Sequence, residues 1–272
     1  MTPEHVSIAT SIYLGLAVGG LLFAWAWEDG APLRRWADAA ARRRHIARNL
    51  ALLATVIVFS DYLVAQQVLR IPERLFDPPA GLLTPLQLPG AALVVIAFVV
   101  VDFYEYAFHR LLHAWRPLWL LHAVHHADPH VDFSTSARHH PVETAVVIAG
   151  RLGIYLALGL PLWIEVPRVI LTNTVLLLQH TNTAFPRWIE ALRPLFVTPA
   201  VHKVHHGSDP HLTDRNYGQI FSVWDRMLGT YAEPVGDAPP SYGLRKLAGD
   251  RWQTLAGMLG TPLTARRLPG PL

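Results

Sequence analysis

One stretch decides the fold: Gly90-Ala-Ala-Leu-Val-Val-Ile-Ala-Phe-Val-Val-Val-Asp102-Phe-Tyr-Glu105-Tyr-Ala-Phe-His109-Arg-Leu-Leu-His113-Ala-Trp-Arg-Pro-Leu-Trp-Leu-Leu-His122-Ala-Val-His125-His126. Its first half, opening at Leu86 or Gly90 and running to Val101, is apolar enough to enter a bilayer. It passes into the polar residues Asp102 to His113 with no glycine or proline between them. A helix without a breaker continues. One helix is therefore expected to cross the membrane and project from it, carrying the first histidines.

Further membrane segments flank this stretch. Val6 to Trp27 has no charged residue, and Trp25 and Trp27 stand at its end as interfacial anchors do. A short arginine-rich loop follows over Glu28 to Arg48, expected on the cytoplasmic side by the positive-inside rule. Asn49 to Leu69 is a second span, broken only by Asp61. The proline-punctuated Ile71 to Pro89 reads as a loop on the far side. Beyond the histidines, Val142 to Ile164 and Arg168 to His180 form a hairpin that enters and returns on one side. Its Arg151 has to snorkel or pair. Three crossings place the N-terminus outside and both the arginine loop and His109 to His140 inside. The hairpin then returns His180 and His202 to His206 to that side. Gly207 to Leu272 reads as a cytosolic cap and a loosely ordered tail.

Composition agrees. Of 272 residues, 51% are hydrophobic and 16% charged, against about 25% charged in soluble domains. A net charge of +3 is too small to indicate nucleic acid and suits an anionic inner leaflet. Cysteine is absent, so thiolate ligands are excluded.

The 15 histidines are the outlier. His109 and His113 are spaced i, i+4. His122, His125 and His126, and again His202, His205 and His206, are spaced i, i+3, i+4. Such residues share one helix face, where imidazoles can converge on a metal. Eight imidazoles exceed the four of a tetrahedral zinc site and fit two ions. Imidazole suits iron, zinc, copper and nickel alike. His140 and His180, just before and after the hairpin, are candidates to complete the shells; each could instead be a donor that holds a carboxylate or a carbonyl beside the site. His139 is the weaker of its pair. His5, His45, His130 and His211 read as surface residues. Asp102 and Glu105 lie seven and four residues before His109 on its helix face, and are expected to orient His109 or His113. The other role for these acids is a salt bridge to Arg110 or Arg138. Phe103, Tyr104, Tyr106 and Phe108 read as interfacial aromatics or as liners of a substrate path. Tyr217 and Asp225 read as structural.

The boxes resemble those of the membrane-bound fatty acid hydroxylase superfamily, also called the sterol desaturase family. Three further elements share the likeness: Arg138-His-His140-Pro-Val-Glu143, Gln179-His180-Thr-Asn182, and Asp214-Arg-Asn-Tyr217-Gly followed by Trp224-Asp-Arg-Met-Leu-Gly-Thr-Tyr231. Met227-Leu228 departs from the usual Leu or Ile-Phe. The likeness covers about residues 88–232. It implies an all-α integral membrane helical bundle with a cytosolic, histidine-rich di-metal cap. Residues 1–87 would form N-terminal transmembrane helices and loops, 88–232 the catalytic region and 233–272 a cytosolic tail. It also implies a non-haem di-iron enzyme that uses O2 to hydroxylate or desaturate a lipid or isoprenoid. Carried-over ligands are His109, His113, His122, His125, His126, His202, His205 and His206, then His180 and His140. Zinc in a purified sample is compatible with this reading. No cytochrome b5-like segment is evident, so electrons are expected from a separate donor of ferredoxin or cytochrome b5 type. The expected location is a bacterial inner membrane, with the metals at its cytoplasmic face. The competing readings are a metal transporter, which should carry ligands at mid-depth in its spans, and a bis-histidine haem protein, which leaves most boxes unused.

Overall fold

The computed structural model describes residues 3–60, 80–209, 212–234 and 241–268, with side chains from residue 15 onward. Among these residues the chain is helical and forms no strand, only isolated bridges such as Phe196 with Phe221. The helices that position the site are α1 (Pro3–Gly30), α2 (Ala39–Ser60), α3 (Gly90–Ala114), α4 (Arg116–His126), α5 (Pro141–Leu158), α6 (Glu165–His180), α7 (Pro199–His205) and α8 (Leu255–Thr264).

Helix α3 is unbroken from its apolar start through His113, as expected. It stops at Ala114 because Pro117 cannot accept a helical continuation: it has no N–H and its ring clashes with the carbonyl four residues back. Trp115 adopts an extended conformation, and α4 departs in a new direction with Pro117 in its first turn. This corner folds the second box back against the first. α5 and α6 form the expected hairpin, turned at Gly159 in the left-handed region (φ 74°). α3, α5 and the stretch Leu162–His180 are long and apolar enough to cross a membrane, with mean hydropathies of 2.0, 1.4 and 1.2. They pack through Ala97, Val101, Tyr155, Leu160 and Ile164.

The structure corrects two expectations. The arginine-rich segment is not all loop. Asp38 accepts from the N–H groups of Ala40 and Ala41, caps α2, and so starts the helix early enough to carry Arg42, Arg43, Arg44 and Arg48. The remainder of the second span, including Asp61, and residues 71–79 of the loop after it lie outside the described residues. The C-terminal region over 241–268 is packed rather than loose: Leu247, Trp252 and Ala265 close over Leu120, Ala123 and Ala127 of α4, while Met258 of α8 meets Leu52 and Val124. Burying several such side chains, each worth about 1.5–3 kcal/mol, ties this segment to the helix that carries the second box. Of the two courses open to it, Arg151 takes pairing, with Glu105 and Glu165 at 3.1 Å each.

Candidate metal centre

Four elements deliver the histidines. The last turns of α3 carry His109 and His113, and α4 carries His122, His125 and His126. α6 ends on His180, and α7 with its C-cap carries His202, His205 and His206. Two groups form. His109, His113, His122, His126 and His205 place one ring nitrogen each within 4.8 Å of one another, and His125, His180, His202 and His206 do the same. These are the eight box histidines plus His180. The helical spacing divides each HxxHH box between the groups. The groups adjoin, and the His126 and His206 rings stack across them at 4.7 Å.

The tautomers follow from the partners. A carbonyl only accepts, so Nδ1 of His109 donates to Tyr217 O (2.9 Å), Nδ1 of His205 to Arg215 O (2.7 Å) and Nδ1 of His180 to Leu176 O (2.7 Å). In a neutral ring the other nitrogen, Nε2, then holds a bare lone pair. His180 Nε2 lies 3.0 Å from His206 Nε2, 3.1 Å from His202 Nε2 and 3.3 Å from His125 Nε2. His109 Nε2 lies 3.1 Å from His122 Nε2. The Nε2 atoms of His113, His126 and His205 are buried without any partner. Lone pairs that converge at such distances repel unless a cation lies among them. Donors bound ~2 Å from one ion lie ~3–4 Å apart, so the donor sets fit a metal of the imidazole-binding class.

The outward nitrogens are held by a second layer. Glu143, from the first turn of α5, accepts from His122 Nδ1 at 2.9 Å and from His139 Nδ1 at 3.1 Å. Asp214 accepts from His113 Nδ1 at 3.0 Å. One loop therefore orients three ligands of the first group, through the Asp214 carboxylate and the Arg215 and Tyr217 carbonyls. Asp214 and Asn216 both take left-handed conformations (φ 59° and 56°), which Asp and Asn tolerate best after glycine. Asn216 clamps the loop to Val201 and Ala232. Asp225 accepts from the N–H groups of Tyr217 and Gly218. A side chain at Gly218 would collide with the Asp225 carboxylate and the Phe221 carbonyl.

Burial, followed by the neighbouring imidazoles, holds His125, His126, His205 and His206 well below the ordinary 6.5. His202 is lowered in the same way. These rings stay neutral and able to ligate. The hydrogen bond from His113 is the main cause that lowers the Asp214 carboxyl.

Four residues stand elsewhere than the sequence suggested. His140 joins neither group: Nδ1 caps α5 by accepting from Val142 N–H, and Nε2 faces Leu259 O. His139 is the inward member of that pair, stacked on His125 at 4.5 Å. Asp102 touches no histidine; it accepts from the N–H groups of Ile220 and Phe221 and from Trp224 Nε1. Glu105 bridges Arg151 and Arg168 instead, and neither Arg110 nor Arg138 pairs with these acids. Glu143, Asp214 and the Arg215 carbonyl were missed as orienting groups, although Glu143 and Asp214 stood in quoted motifs. Tyr217, read as structural, serves through its carbonyl, while its ring packs edge-on against His109, His113 and His205. Tyr106 is buried and bonds Thr230, whereas Phe103 is 43% exposed.

Comparison with known proteins agrees with this architecture. The sequence model of the fatty acid hydroxylase family matches residues 94–230. The chain is 35% identical over 149 residues to an alkylglycerol monooxygenase of Caenorhabditis elegans, covering 53% of this chain and 28% of that one. It is 33% identical over 161 residues to ornithine lipid hydroxylase OlsE of Rhizobium tropici, covering 59% and 48%. It is 31% identical over 147 residues to the sphingolipid C4-hydroxylase sur2 of Schizosaccharomyces pombe, covering 53% and 49%. The chain thus spans about half the length, or less, of these curated relatives. No solved structure matches. With the family match covering just over half of its length and enclosing both histidine groups, the chain belongs to the fatty acid hydroxylase family.

Proposed function

We propose that this chain hydroxylates a C–H bond of a membrane lipid or isoprenoid, using O2 and electrons from a separate ferredoxin- or cytochrome b5-type protein. The carrying observation is the pair of adjoining histidine groups with bare, converging Nε2 atoms at the ends of membrane-length helices. Two irons fit the pair best: His109, His113, His122, His126 and His205 would hold one, and His125, His180, His202 and His206 the other. Iron held there supplies the oxygen-derived oxidant that an unactivated C–H bond requires.

The protein's own part is to hold and shield. The Asp214–Tyr217 loop and Glu143 fix ring orientation, so the donors need no rearrangement on metal binding. The buried site limits water around the reacting carbon. The related proteins named above are hydroxylases and monooxygenases of lipids, which favours hydroxylation over desaturation. The described ligands sit at helix ends and do not ladder through the spans, unlike a transport path. The positive-inside pattern supports a site on the cytoplasmic face, and a bacterial inner membrane is the location proposed with it.

Metal analysis of anaerobically purified protein, with Mössbauer spectra, tests the centre. Two irons per chain with a coupled signal are expected. A single weak metal, unaffected by His113→Ala or His206→Ala, would overturn the reading. Lipid profiles of cells with and without the gene then identify the substrate, and a profile without any hydroxylated product would count against it.

A further inference from the structure

Between the hairpin and the third histidine box, and again after the Asn216-Tyr217-Gly218 turn, large apolar side chains face outward. Trp188 is 68% exposed, Leu195 59% and Met227 73%, with Leu192, Phe196 and Leu228 also exposed. The two segments lie side by side. Ser222 N–H donates to Leu195 O, Ser222 Oγ donates to Arg193 O, and the Phe196 and Phe221 rings meet at 5.6 Å. The six residues therefore form one surface. Large contiguous apolar patches are rare on soluble monomers and mark surfaces that something covers.

Its position says what covers it. Asp102 pins Ile220, Phe221 and Trp224 to α3, and Phe103 meets Trp224 edge-on at 5.0 Å. Val95, Val99 and Phe103 are exposed and spaced four apart, forming the outward stripe of that spanning helix. The patch is thus continuous with a face that lipid must cover. Arg187, Arg193 and Arg226 are interspersed along the same two segments, as cations are in interfacial elements that meet phosphate headgroups.

We propose that the segments 187–196 and 224–228 are embedded in the lipid monolayer beside α3, with Trp188, Leu195 and Met227 among the acyl chains. These segments flank α7 and the Asn216-Tyr217-Gly218 turn. The centre would then lie close to the level of the lipid headgroups, within reach of a substrate carbon near the polar end of a lipid. This deepens the function proposed above. Loss of iron or of lipid oxidation would sink that function and leave the depth of these segments unchanged.

The chain has no cysteine, so single Met227→Cys, Leu195→Cys and Ala248→Cys variants can each carry one fluorophore. The full-length protein is reconstituted into phosphatidylcholine nanodiscs, with or without nitroxide-labelled acyl chains. Labels at 227 and 195 should lose at least about half their emission to lipid nitroxide and little to aqueous iodide. A label at the exposed position 248 should show the reverse. Iodide quenching at 227 and 195 equal to that at 248 would overturn the proposal. So would shielding from both quenchers, which would mean that a second protein copy covers the patch.

Discussion

Glu143 Oε1 lies 2.9 Å from His122 Nδ1 and 3.1 Å from His139 Nδ1, joining a ligand of the first histidine group to a ring stacked on His125 of the second. One buried carboxylate thereby touches the first group directly and reaches the second only through the His139 ring. Removing such an orienting partner typically costs 10–100-fold in metal affinity. Glu143→Ala is expected to weaken iron binding by about that factor, and Glu143→Gln, which still accepts a hydrogen bond, by less. Iron titration of the apo-protein checks both; an unchanged affinity in Glu143→Ala would show that the contact does not tune the site.

His180 and His140 flank the hairpin, but only His180 has its Nε2 among other ring nitrogens. His180→Ala should lower iron content toward one per chain. His140→Ala should keep the full complement and cost the helix cap and the bond to Leu259 O, about 1 kcal/mol each. Metal content per folded chain, measured beside thermal unfolding in detergent, separates the two outcomes. Equal iron loss in both variants would reinstate His140 as a ligand.

Glu105 holds Arg151 and Arg168 among apolar helices, each at 3.1 Å. Breaking a buried pair by deleting one partner leaves the other charge stranded, at about 3–5 kcal/mol. Glu105→Ala should fall near that range, tempered because Glu165 still pairs with both arginines. Iron stoichiometry of the surviving folded protein should be unchanged. Loss of metal without loss of stability would mean that Glu105 serves the centre after all.

The buried box histidines make apo-protein stability pH-dependent. His125, His126, His202, His205 and His206 are held below their ordinary 6.5 in the fold. Below that pH the unfolded chain binds more protons than the native one, so stability falls as acid is added. Above it both states are neutral and the penalty vanishes. Apo-protein should unfold more readily at pH 5.5 than at pH 7.5, and bound metal, which keeps protons off the same nitrogens in the native state, should leave the difference at least as large. Equal apo stability at both values would contradict neutral burial.

What the sequence by itself determined was periodic and local. Spacings of i, i+3 and i+4 make one helix face of each box, and an apolar run that enters Asp102 to His113 without a breaker makes one helix of span and box. The His180 reading also needed only its place after the hairpin. What tertiary structure decided was which group meets which across elements. Asp102 and Glu105 share the face of His109, but helical side chains lean toward the N-terminus. Their carboxylates therefore reach away from His109, to the 220–224 loop and to the arginines of α5 and α6. The partners that orient the imidazoles come instead from α5 and from the 214–217 loop, more than twenty and about a hundred residues along the chain. His139 and His140 diverge for a related reason: the helix cap and the Leu259 carbonyl hold the His140 ring, while His139 faces His125 and Glu143. Periodicity selects the donors, but the direction in which each side chain points, and the loop conformations that bring carbonyls to ring nitrogens, exist only once the helices have packed.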